Sequence, residues 1–381
     1  MSKETKIRYL DFFAGIGGFH SAFSRVGWEC LGFCEIDRFA RQSYNAIHNT
    51  EGIEEWHDIT RVSDDDFRRL RGRVDIIAGG FPCQAFSVAG KRGGFEDTRG
   101  TLFFEVARAA QQIQPRYLLL ENVKGLLNHD KGNTFGTILN TLHELGYAHI
   151  EWGVFNTKYW GVPQNRERVF ILAELRNEPT EPYLLPLLQQ QHENGVTARL
   201  RDVLETDVDE KYYLSEEKTA KLIELVGGSV SNHDCIDSRQ KSADKVRVYP
   251  DFCPTINATE TKDIKKVVEE TTRVVASLNH YGNDQMNRVY SPDGQAPTVI
   301  AVSGGGREPK IVETPTYRIR KLTPLETWRL QDFTDEQFYK AKADGVSDSQ
   351  LYKQAGNSVT VKVVEMIARQ IEKRKESEEI Q

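Results

Sequence analysis

The sequence predicts an α/β fold with a doubly wound, mostly parallel sheet, accompanied by a smaller domain rich in strands and turns. Over roughly the first 175 residues, short apolar runs alternate with helical patterns, which is the order of elements that a parallel sheet requires. A glycine-rich turn follows the first apolar run. Between residues 230 and 320 the chain is instead rich in Thr, Val, Asn, Gly and Pro, a composition typical of short strands and turns.

The predicted strands are compact apolar runs bounded by glycine or polar residues, as expected where both faces of a strand are buried. The predicted helices lie between them, and a helical pattern returns from residue 322 to the charged tail. Strands are predicted at 7–13, 28–34, 74–78, 117–121 and 169–172, and helices at 19–25, 37–47, 100–112, 134–145 and 365–373.

These changes of pattern divide the chain into residues 1–190, 200–317 and 318–375, and the third part returns to the first domain. A connector is predicted at 176–200, because that stretch carries three prolines and a glutamine-rich run. In the second part, Arg-Val-Tyr occurs at 247–249 and again at 288–290, followed by Pro-Thr and an apolar residue at 254–256 and 297–299. The repetition marks two similar strand–turn–strand units or is coincidental.

The composition is that of a protein with a substantial core, since 39% of its 381 residues are hydrophobic. Its apolar runs are too short to cross a bilayer, and the N-terminus lacks a secretory apolar region. An odd, sparse set of cysteines without C-x-x-C pairs predicts a reducing compartment. The net charge of −6 is the main compositional evidence against a nucleic-acid partner, although phosphate contacts need only a local basic surface. The cysteines are Cys30, Cys34, Cys83, Cys235 and Cys253.

The glycine-rich turn at 11–18 lies between a predicted strand and a predicted helix. Glycines there let the backbone turn tightly and approach a ligand without a Cβ atom in the way. Glu35 and Asp58 follow the next strands and could face the ribose and the adenine end of one ligand. The spacing is not that of the dinucleotide motif G-x-G-x-x-G. By itself, the turn is equally well explained as an ordinary strand–helix connection.

Cys83 lies in the turn that follows the predicted strand 74–78, directly after Pro82. The carboxyl ends of such strands are where ligands bind in open α/β sheets. A cysteine there can become a thiolate in electropositive surroundings, although most lone cysteines are structural. The following loop, 87–100, combines glycines with basic residues, and this suits either a lid over an anionic polymer or an exposed solvated loop.

Glu121 ends a strand that is predicted to be buried, which is uncommon for glutamate unless it is paired or functional. A buried carboxyl with a raised pKa could donate a proton to a ring nitrogen; nearby backbone N–H groups could equally satisfy it. Arg166 and Arg168 face the same side of an extended segment, so they could bind a carbonyl oxygen, a phosphate or the carboxylate of Glu121. Alternating charges before a strand are also found at solvated edges.

The order of these motifs resembles that of bacterial and phage cytosine carbon-5 DNA methyltransferases. The glycine-rich turn, the Pro-Cys turn, Glu121-Asn122-Val123 and Gln164-x-Arg166-x-Arg168 occur in the family's order. After the variable segment, 320–333 and 354–359 resemble the family's last two motifs. The resemblance covers residues 7–175 and 318–370, and the gap lies where the family carries its target-recognition region.

The resemblance implies a Rossmann-like S-adenosylmethionine-dependent methyltransferase and a role for each matching residue. Cys83 would attack carbon 6 of the target cytosine, and Glu121 would hold and protonate ring nitrogen 3. Arg168 would contact the ring carbonyl, and Arg166 would support Glu121 and the pocket. Covalent addition suits this chemistry, since carbon 5 is a poor nucleophile, and the base must leave the duplex stack. The reaction needs no metal, and the sequence carries no convincing metal cluster.

The implied cofactor is S-adenosyl-L-methionine, held by the glycine-rich turn, the ends of the following strands and the last motif. Ile36 stands where some family members carry Trp, which weakens one stacking contact with adenine. The implied cofactor residues are Phe13, Ala14, Gly15, Ile16, Gly17, Gly18, Glu35, Ile36, Asp58, Ile59, Pro82, Leu102, Asn357, Ser358 and Val359. The implied DNA-binding residues are Gln84, Ser87, Lys91, Arg92, Arg99, Arg288, Tyr290 and Thr298.

The leading hypothesis is therefore a DNA cytosine-5 methyltransferase with a catalytic and cofactor-binding domain at 1–190 and a DNA-reading domain at 200–317. It is expected to act as a monomer on double-stranded DNA in a prokaryotic or phage-infected cytoplasm, with a cognate restriction endonuclease as a candidate partner. A transfer-RNA cytosine methyltransferase is the nearest alternative, but Gln84 and the long segment 200–317 favour DNA. A catalytically inactive DNA-binding module and a nicotinamide dehydrogenase explain fewer of the motifs.

Overall fold

A computed structural model shows two compact units in the protein. The first unit comprises Met1–Arg199, Thr255–Lys262 and Pro324–Gln381, and the second comprises Leu200–Pro254 and Asp263–Thr323. None of the described helices is long and apolar enough to span a membrane. The structure describes residues 6–82, 102–176, 184–192, 198–225, 230, 235–237, 247–250, 252–256, 258, 265–270, 276–277, 288–290, 310–311 and 317–379.

The first unit is built on a seven-stranded sheet with the order β3-β2-β1-β4-β5-β8-β6. Strands β1 to β5 pair in parallel, whereas β8 runs antiparallel to both of its neighbours. The predicted doubly wound, mostly parallel sheet is confirmed. The strands of this unit are β1 (Arg8–Phe12), β2 (Glu29–Cys34), β3 (Glu54–Trp56), β4 (Ile76–Gly80), β5 (Tyr117–Val123), β6 (His149–Asn156), β7 (Gln164–Asn165) and β8 (Glu167–Glu174).

Helices cover both faces of this sheet, so successive residues of its inner strands are both buried. Tyr9 and Leu10 in β1 belong to two different apolar cores, and so do Tyr117 and Leu118 in β5. Such double burial is why these strands read as continuous apolar runs in the sequence. The helices of this unit are α1 (Gly18–Arg25), α2 (Arg38–Ile47), α3 (Asp64–Arg68), α4 (Leu102–Ile113), α5 (Asn133–Glu144), α6 (Leu184–His192), α8 (Pro324–Arg329), α9 (Asp335–Ala343), α10 (Asp348–Asn357) and α11 (Val361–Glu379); α7 (Glu216–Leu225) lies in the second unit.

The last four helices pack into the same core as the beginning of the chain. Trp328 and Ile367 belong to the apolar core that contains Phe23 of α1. Arg25 at the end of α1 forms an ion pair with Glu365 of α11 at 3.2 Å. The C-terminal motif is thereby brought next to the glycine-rich turn.

The prediction of a connector at 176–200 is wrong for its middle part, where α6 forms. Pro186 is the third residue of α6, a position whose backbone N–H would have no partner within the helix, so proline is tolerated there. The buried carboxylate of Glu151 accepts a hydrogen bond from the Leu185 N–H at 2.7 Å. Leu185 and Leu188 are buried in the core, and this burial stabilises a helix that local composition does not favour.

The second unit contains short strands, as its composition predicts. Its larger sheet has the antiparallel order β10-β9-β12-β16, and a smaller sheet has the order β13-β14-β15. The two Arg-Val-Tyr copies form β10 and β14, which lie in different sheets, so their surroundings are not equivalent; residues 297–299 lie outside the described part of the chain. The strands are β9 (Cys235–Asp237), β10 (Arg247–Tyr249), β11 (Cys253–Pro254), β12 (Lys266–Glu270), β13 (Ala276–Ser277), β14 (Arg288–Tyr290), β15 (Lys310–Ile311) and β16 (Tyr317–Lys321).

Candidate active site

A cavity of about 450 Å³ opens at the carboxyl ends of β1, β2, β4 and β5 in the first unit. The sheet order reverses between β1 and β4, and such switch points are where open α/β sheets bind ligands. Thirteen of the residues predicted to bind cofactor or catalyse line this cavity: Phe13, Gly15, Ile16, Glu35, Ile36, Asp58, Ile59, Pro82, Leu102, Glu121, Arg166, Arg168 and Asn357.

The glycine-rich turn forms one wall of the cavity and leaves its backbone open to a ligand. Gly15 has a φ of +57°, and a Cβ atom built on it would meet no other atom within 4 Å. Its N–H donates to Glu35 Oε2 at 2.8 Å, and the N–H of Asp37 donates to Glu35 Oε1 at 2.7 Å. Burial raises the pKa of Glu35, although these two hydrogen bonds oppose the rise. The Glu35 carboxyl group is thereby fixed at the cavity with both oxygens oriented.

Ala14, Gly17, Gly18, Ser358 and Val359 were predicted to hold the cofactor, but they do not line the cavity. Gly18 lies against the last motif, and a Cβ atom on it would come within 2.5 Å of Val359 Cγ1. Since real Cβ atoms do not approach so closely, glycine is required for α1 to pack against residues 358–359. Gly18, Ser358 and Val359 therefore pack against one another and do not face the cavity.

Two stacked histidines lie behind the glycine-rich turn. His20 and His48 stack with ring centroids 4.0 Å apart, and His20 Nδ1 lies 2.7 Å from the Tyr44 hydroxyl. His48 Nε2 lies 3.1 Å from the Ile16 carbonyl oxygen, and a Cβ atom on Gly17 would overlap the His48 ring. The turn thus owes part of its shape to a buried imidazole.

Acid is expected to destabilise the protein through this histidine pair. Burial lowers the pKa of His20 to about 4 and lowers the pKa of His48 well below its usual value. Both histidines remain neutral in the folded protein but take up protons in the unfolded chain below about pH 6.5. The free energy of unfolding should therefore fall as the pH decreases from about 6.5 to 4, by up to about 1.4 kcal/mol per pH unit for each histidine.

Urea unfolding between pH 7.5 and 4.5 measures this effect, with His20→Gln as the comparison. Buried Asp11 opposes it, because burial raises the pKa of its carboxyl group. The difference in slope between wild type and variant isolates the histidine, so equal slopes would contradict the expectation.

The Pro-Cys turn begins beside the glutamate of β5. Gly80, the last residue of β4, pairs in register with Glu121. The side-chain amide of Asn122 donates to the Phe81 carbonyl oxygen at 2.8 Å, which ties the start of the turn to β5. Pro82 lines the cavity. Outside the described residues lie Cys83, Gln84, Ser87, Lys91, Arg92, Arg99 and Thr298, and only the strand backbone is described for Arg288 and Tyr290.

Glu121 and Arg168 form a largely buried ion pair, with Arg168 Nε 2.9 Å from Glu121 Oε1. Strands β5 and β8 place them together, since Val123 pairs with Arg168 in the antiparallel register. Burial raises the pKa of Glu121, and the charges of Arg168 and Arg166 oppose that rise. Burial also lowers the pKa of Arg168. A carboxyl group with a raised pKa is suited to proton donation.

Arg166 was predicted to support Glu121, and its hydrogen bonds show a further role. Its guanidinium group donates to the carbonyl oxygens of Ile256 at 3.1 Å, Gly356 at 3.2 Å and Ser358 at 2.6 Å. It therefore holds the last motif at the cavity, while its charge opposes the rise that burial causes in the pKa of Glu121. Three buried carbonyl acceptors explain why an arginine occupies this position.

Residues that the sequence analysis missed also line the cavity. The ammonium group of Lys353 lies 2.6 Å from Asp37 Oδ2, and the Gln354 amide donates to the Phe39 carbonyl oxygen at 2.9 Å. These contacts join α10 to the start of α2. Asp37 also caps α2, accepting from the Phe39 and Ala40 N–H groups, which was readable as a helix N-cap signal. His57, Cys34 and Val123 line the cavity as well.

Comparisons with known proteins agree with the motif order. The family model for C-5 cytosine-specific DNA methylases matches residues 7–373. The chain is 34% identical to "Orphan methyltransferase M.Rho11sI" of Bacillus phage rho11s, over 96% of this chain and 98% of that protein. It is 36% identical to "Type II methyltransferase M.HpaII" of Haemophilus parainfluenzae, over 96% and 89%. The solved structure of S. pombe Dnmt2 methyltransferase is similar in fold, with a TM-score of 0.63, 19% identity, and coverage of 97% of this chain and 99% of that one.

Proposed function

The chain belongs to the C-5 cytosine-specific DNA methylase family and is a DNA cytosine-5 methyltransferase, and we propose a mechanism and a set of site residues for it. The enzyme takes the methyl group from S-adenosyl-L-methionine and transfers it to a cytosine flipped out of a specific short duplex sequence. Cys83 is the covalent nucleophile. The observation that carries the proposal is one cavity that joins the glycine-rich turn, Pro82 and the Glu121–Arg168 ion pair.

The cavity fits S-adenosyl-L-methionine by its size and donor set. A volume of about 450 Å³ lies in the range of sites that enclose a small ligand. Each oxygen of Glu35 accepts one backbone N–H and retains a lone pair for a ribose hydroxyl. The open space beside Gly15 is where a Cβ atom would intrude on a ligand. Bound S-adenosyl-L-methionine would supply an electrophilic methyl group.

The protein residues prepare the cytosine ring for methylation. The Cys83 thiolate forms a bond to carbon 6 while the carboxyl group of Glu121 gives a proton to ring nitrogen 3. Carbon 5 thereby becomes nucleophilic enough to be methylated. Arg168 donates to the ring carbonyl, which withdraws electrons from carbon 6. The carbon-5 proton then leaves to water, the bond to Cys83 breaks, and the nitrogen-3 proton returns to Glu121, which restores the aromatic ring and the free enzyme.

The remaining assignments concern recognition and context. We assign DNA reading to residues 200–317, and the loop 87–100 to closing over the flipped base with Lys91, Arg92 and Arg99. The family includes enzymes of restriction–modification systems, as the name of M.HpaII indicates, so a cognate endonuclease is a candidate partner. We propose that the enzyme acts as a monomer in the cytoplasm.

Parallel transfer of labelled methyl groups to duplex DNA and to transfer RNA tests the substrate. The proposal expects label in DNA alone. Label in transfer RNA alone would contradict it. Bisulfite sequencing of DNA from cells that express the protein would then locate the methylated cytosine and the recognised sequence.

Replacing Glu35 with Ala is expected to weaken cofactor binding about 10- to 100-fold, because each hydrogen bond to a charged group contributes about 1.5–3 kcal/mol. Calorimetric titration with S-adenosyl-L-methionine measures the effect. Glu29→Ala is the matched control, since Glu29 is exposed at the start of β2, the strand that Glu35 follows. Equal affinities for the two variants would remove Glu35 from the cofactor site.

A further inference from the structure

A second, polar cavity of about 600 Å³ lies at the same edge of the first unit as the active site. Successive side chains of the segment 165–168 point to opposite faces, so they line the two cavities alternately. Arg166 and Arg168 line the active-site cavity, whereas Asn165 and Glu167 line the second one. Its remaining walls come from Lys124 after β5, from the end of β6 and the residues that follow it, and from Gln189 of α6.

Two lysines and one glutamate are among the described residues that line this second cavity, so their side chains carry a net positive charge. The ammonium group of Lys124 pairs at 2.9 and 3.1 Å with Glu167, the one carboxylate among the described residues that line the cavity. Lys158 is half-buried and lies 4.7 Å from the centre of the Tyr159 ring, and no ion pair neutralises it within the part of the chain that the structure describes. An ammonium group at an open cavity, with no carboxylate paired to it among the described residues, is free to bind an anionic ligand.

Two asparagines complete the donor set. The Asn156 side chain donates to Asn165 Oδ1 at 2.7 Å and accepts from the Lys158 N–H at 3.3 Å. The first of these bonds orients Asn165, an exposed residue, so that its own amide group can donate into the cavity. Ammonium and carboxamide donors around an open polar space are the groups that bind phosphate oxygens.

We propose that this cavity, through Lys158, Lys124 and Asn165, binds a backbone phosphate of the DNA strand near the target cytosine. The inference rests on the proposed function. In register, Asn156 pairs with Glu167 and Phe155 with Arg168, so the cavity begins one strand away from the Glu121–Arg168 pair. Adjacent strands lie about 4.8 Å apart. A DNA strand carries one phosphate per about 3.4 Å of helix axis, so the strand that holds the target base offers a phosphate every few ångströms along this edge of the sheet.

The phosphate contact fixes the position of the DNA and carries no sequence information. Lys158→Gln is therefore expected to raise the Kd for duplex DNA about 3- to 10-fold and to make the slope of log K against log salt shallower by about 0.9. The KM for DNA should rise while kcat at saturating DNA and the affinity for S-adenosyl-L-methionine stay unchanged.

The test is a salt series of duplex-DNA binding and of methylation with the full-length protein. Lys158→Arg should restore most of the affinity, because it keeps the charge. Lys340→Gln is the matched control, since Lys340 is an exposed helical lysine paired with Glu336, and it should leave the salt slope unchanged.

The outcomes separate this inference from the proposed function. If the wild type methylates duplex DNA but Lys158→Gln has the wild-type salt slope, the phosphate site is wrong and the methyltransferase assignment stands. A fall in kcat or in cofactor affinity at an unchanged salt slope would equally overturn it, because that result indicates a structural role. If the wild type neither binds nor methylates duplex DNA, the proposed function itself fails.

Discussion

Replacing Cys83 with Ala is expected to lower the rate of methyl transfer to duplex DNA by at least about 10³-fold, because the covalent route to carbon 5 is lost. The affinity for S-adenosyl-L-methionine should change little, since Glu35, the glycine-rich turn and the last motif remain. Single-turnover methylation together with calorimetric titration separates the two effects. Undiminished methylation by the variant would contradict the mechanism.

Other cysteines of the chain provide the control for this variant. Burial raises the pKa of the Cys30 thiol to about 12, so almost none of it is thiolate near neutral pH. Burial likewise raises the pKa of Cys34 to about 12. Cys30→Ala should therefore retain methylation within a few-fold of wild type. A loss of activity as large as that of Cys83→Ala would show that the effect is not specific to the nucleophile.

Replacing Glu121 with Gln is expected to lower the rate of methyl transfer by about 10²- to 10⁴-fold, the range of general acid catalysis. Glutamine keeps the size of the side chain and can still hydrogen-bond, but it cannot release a proton to ring nitrogen 3. Its partner Arg168 would lose the charged acceptor that now lies 2.9 Å from Nε. Rapid-quench methylation at saturating DNA and cofactor measures the step.

The control for Glu121 is a glutamate with no contact to the cavity. Glu144 is exposed at the end of α5, and Glu144→Gln should have the wild-type rate. General acid catalysis contributes more than about 3-fold to the rate. If Glu121→Gln methylates DNA within about 3-fold of wild type, Glu121 is therefore not the proton donor.

Much of the fold could be predicted, because its strands are recognisable from their own residues. The strands of the central sheet are buried on both faces, so β1, β4 and β5 appear in the sequence as uninterrupted apolar runs. Polar residues at strand ends, such as Glu35 after β2 and Glu121 in β5, mark the site. Strand β3 (Glu54–Trp56) was expected only as a strand that Asp58 follows, without bounds, since it is short and its residues are only half-buried or exposed.

The contacts that assemble the site could not be predicted from local sequence patterns, because they join residues far apart in the chain. Arg166 donates to carbonyl groups 90 and 192 residues further along the chain, and Lys353 pairs with Asp37 across 316 residues. Nothing in the neighbourhood of these residues identifies their partners. Helix α6 was missed for a related reason, because the long-range burial of its leucines outweighs its proline content.

The most direct test of the account is the capture of the covalent intermediate on duplex DNA that carries 5-fluorocytosine in place of cytosine. Fluorine at carbon 5 cannot leave as a proton does, so the bond between enzyme and carbon 6 persists after methylation. Mass spectrometry of the digested complex should find a methylated 5-fluorocytosine attached to the peptide that contains Cys83. The account would be contradicted if the same enzyme methylated ordinary DNA yet formed no covalent complex, or formed one through a residue other than Cys83.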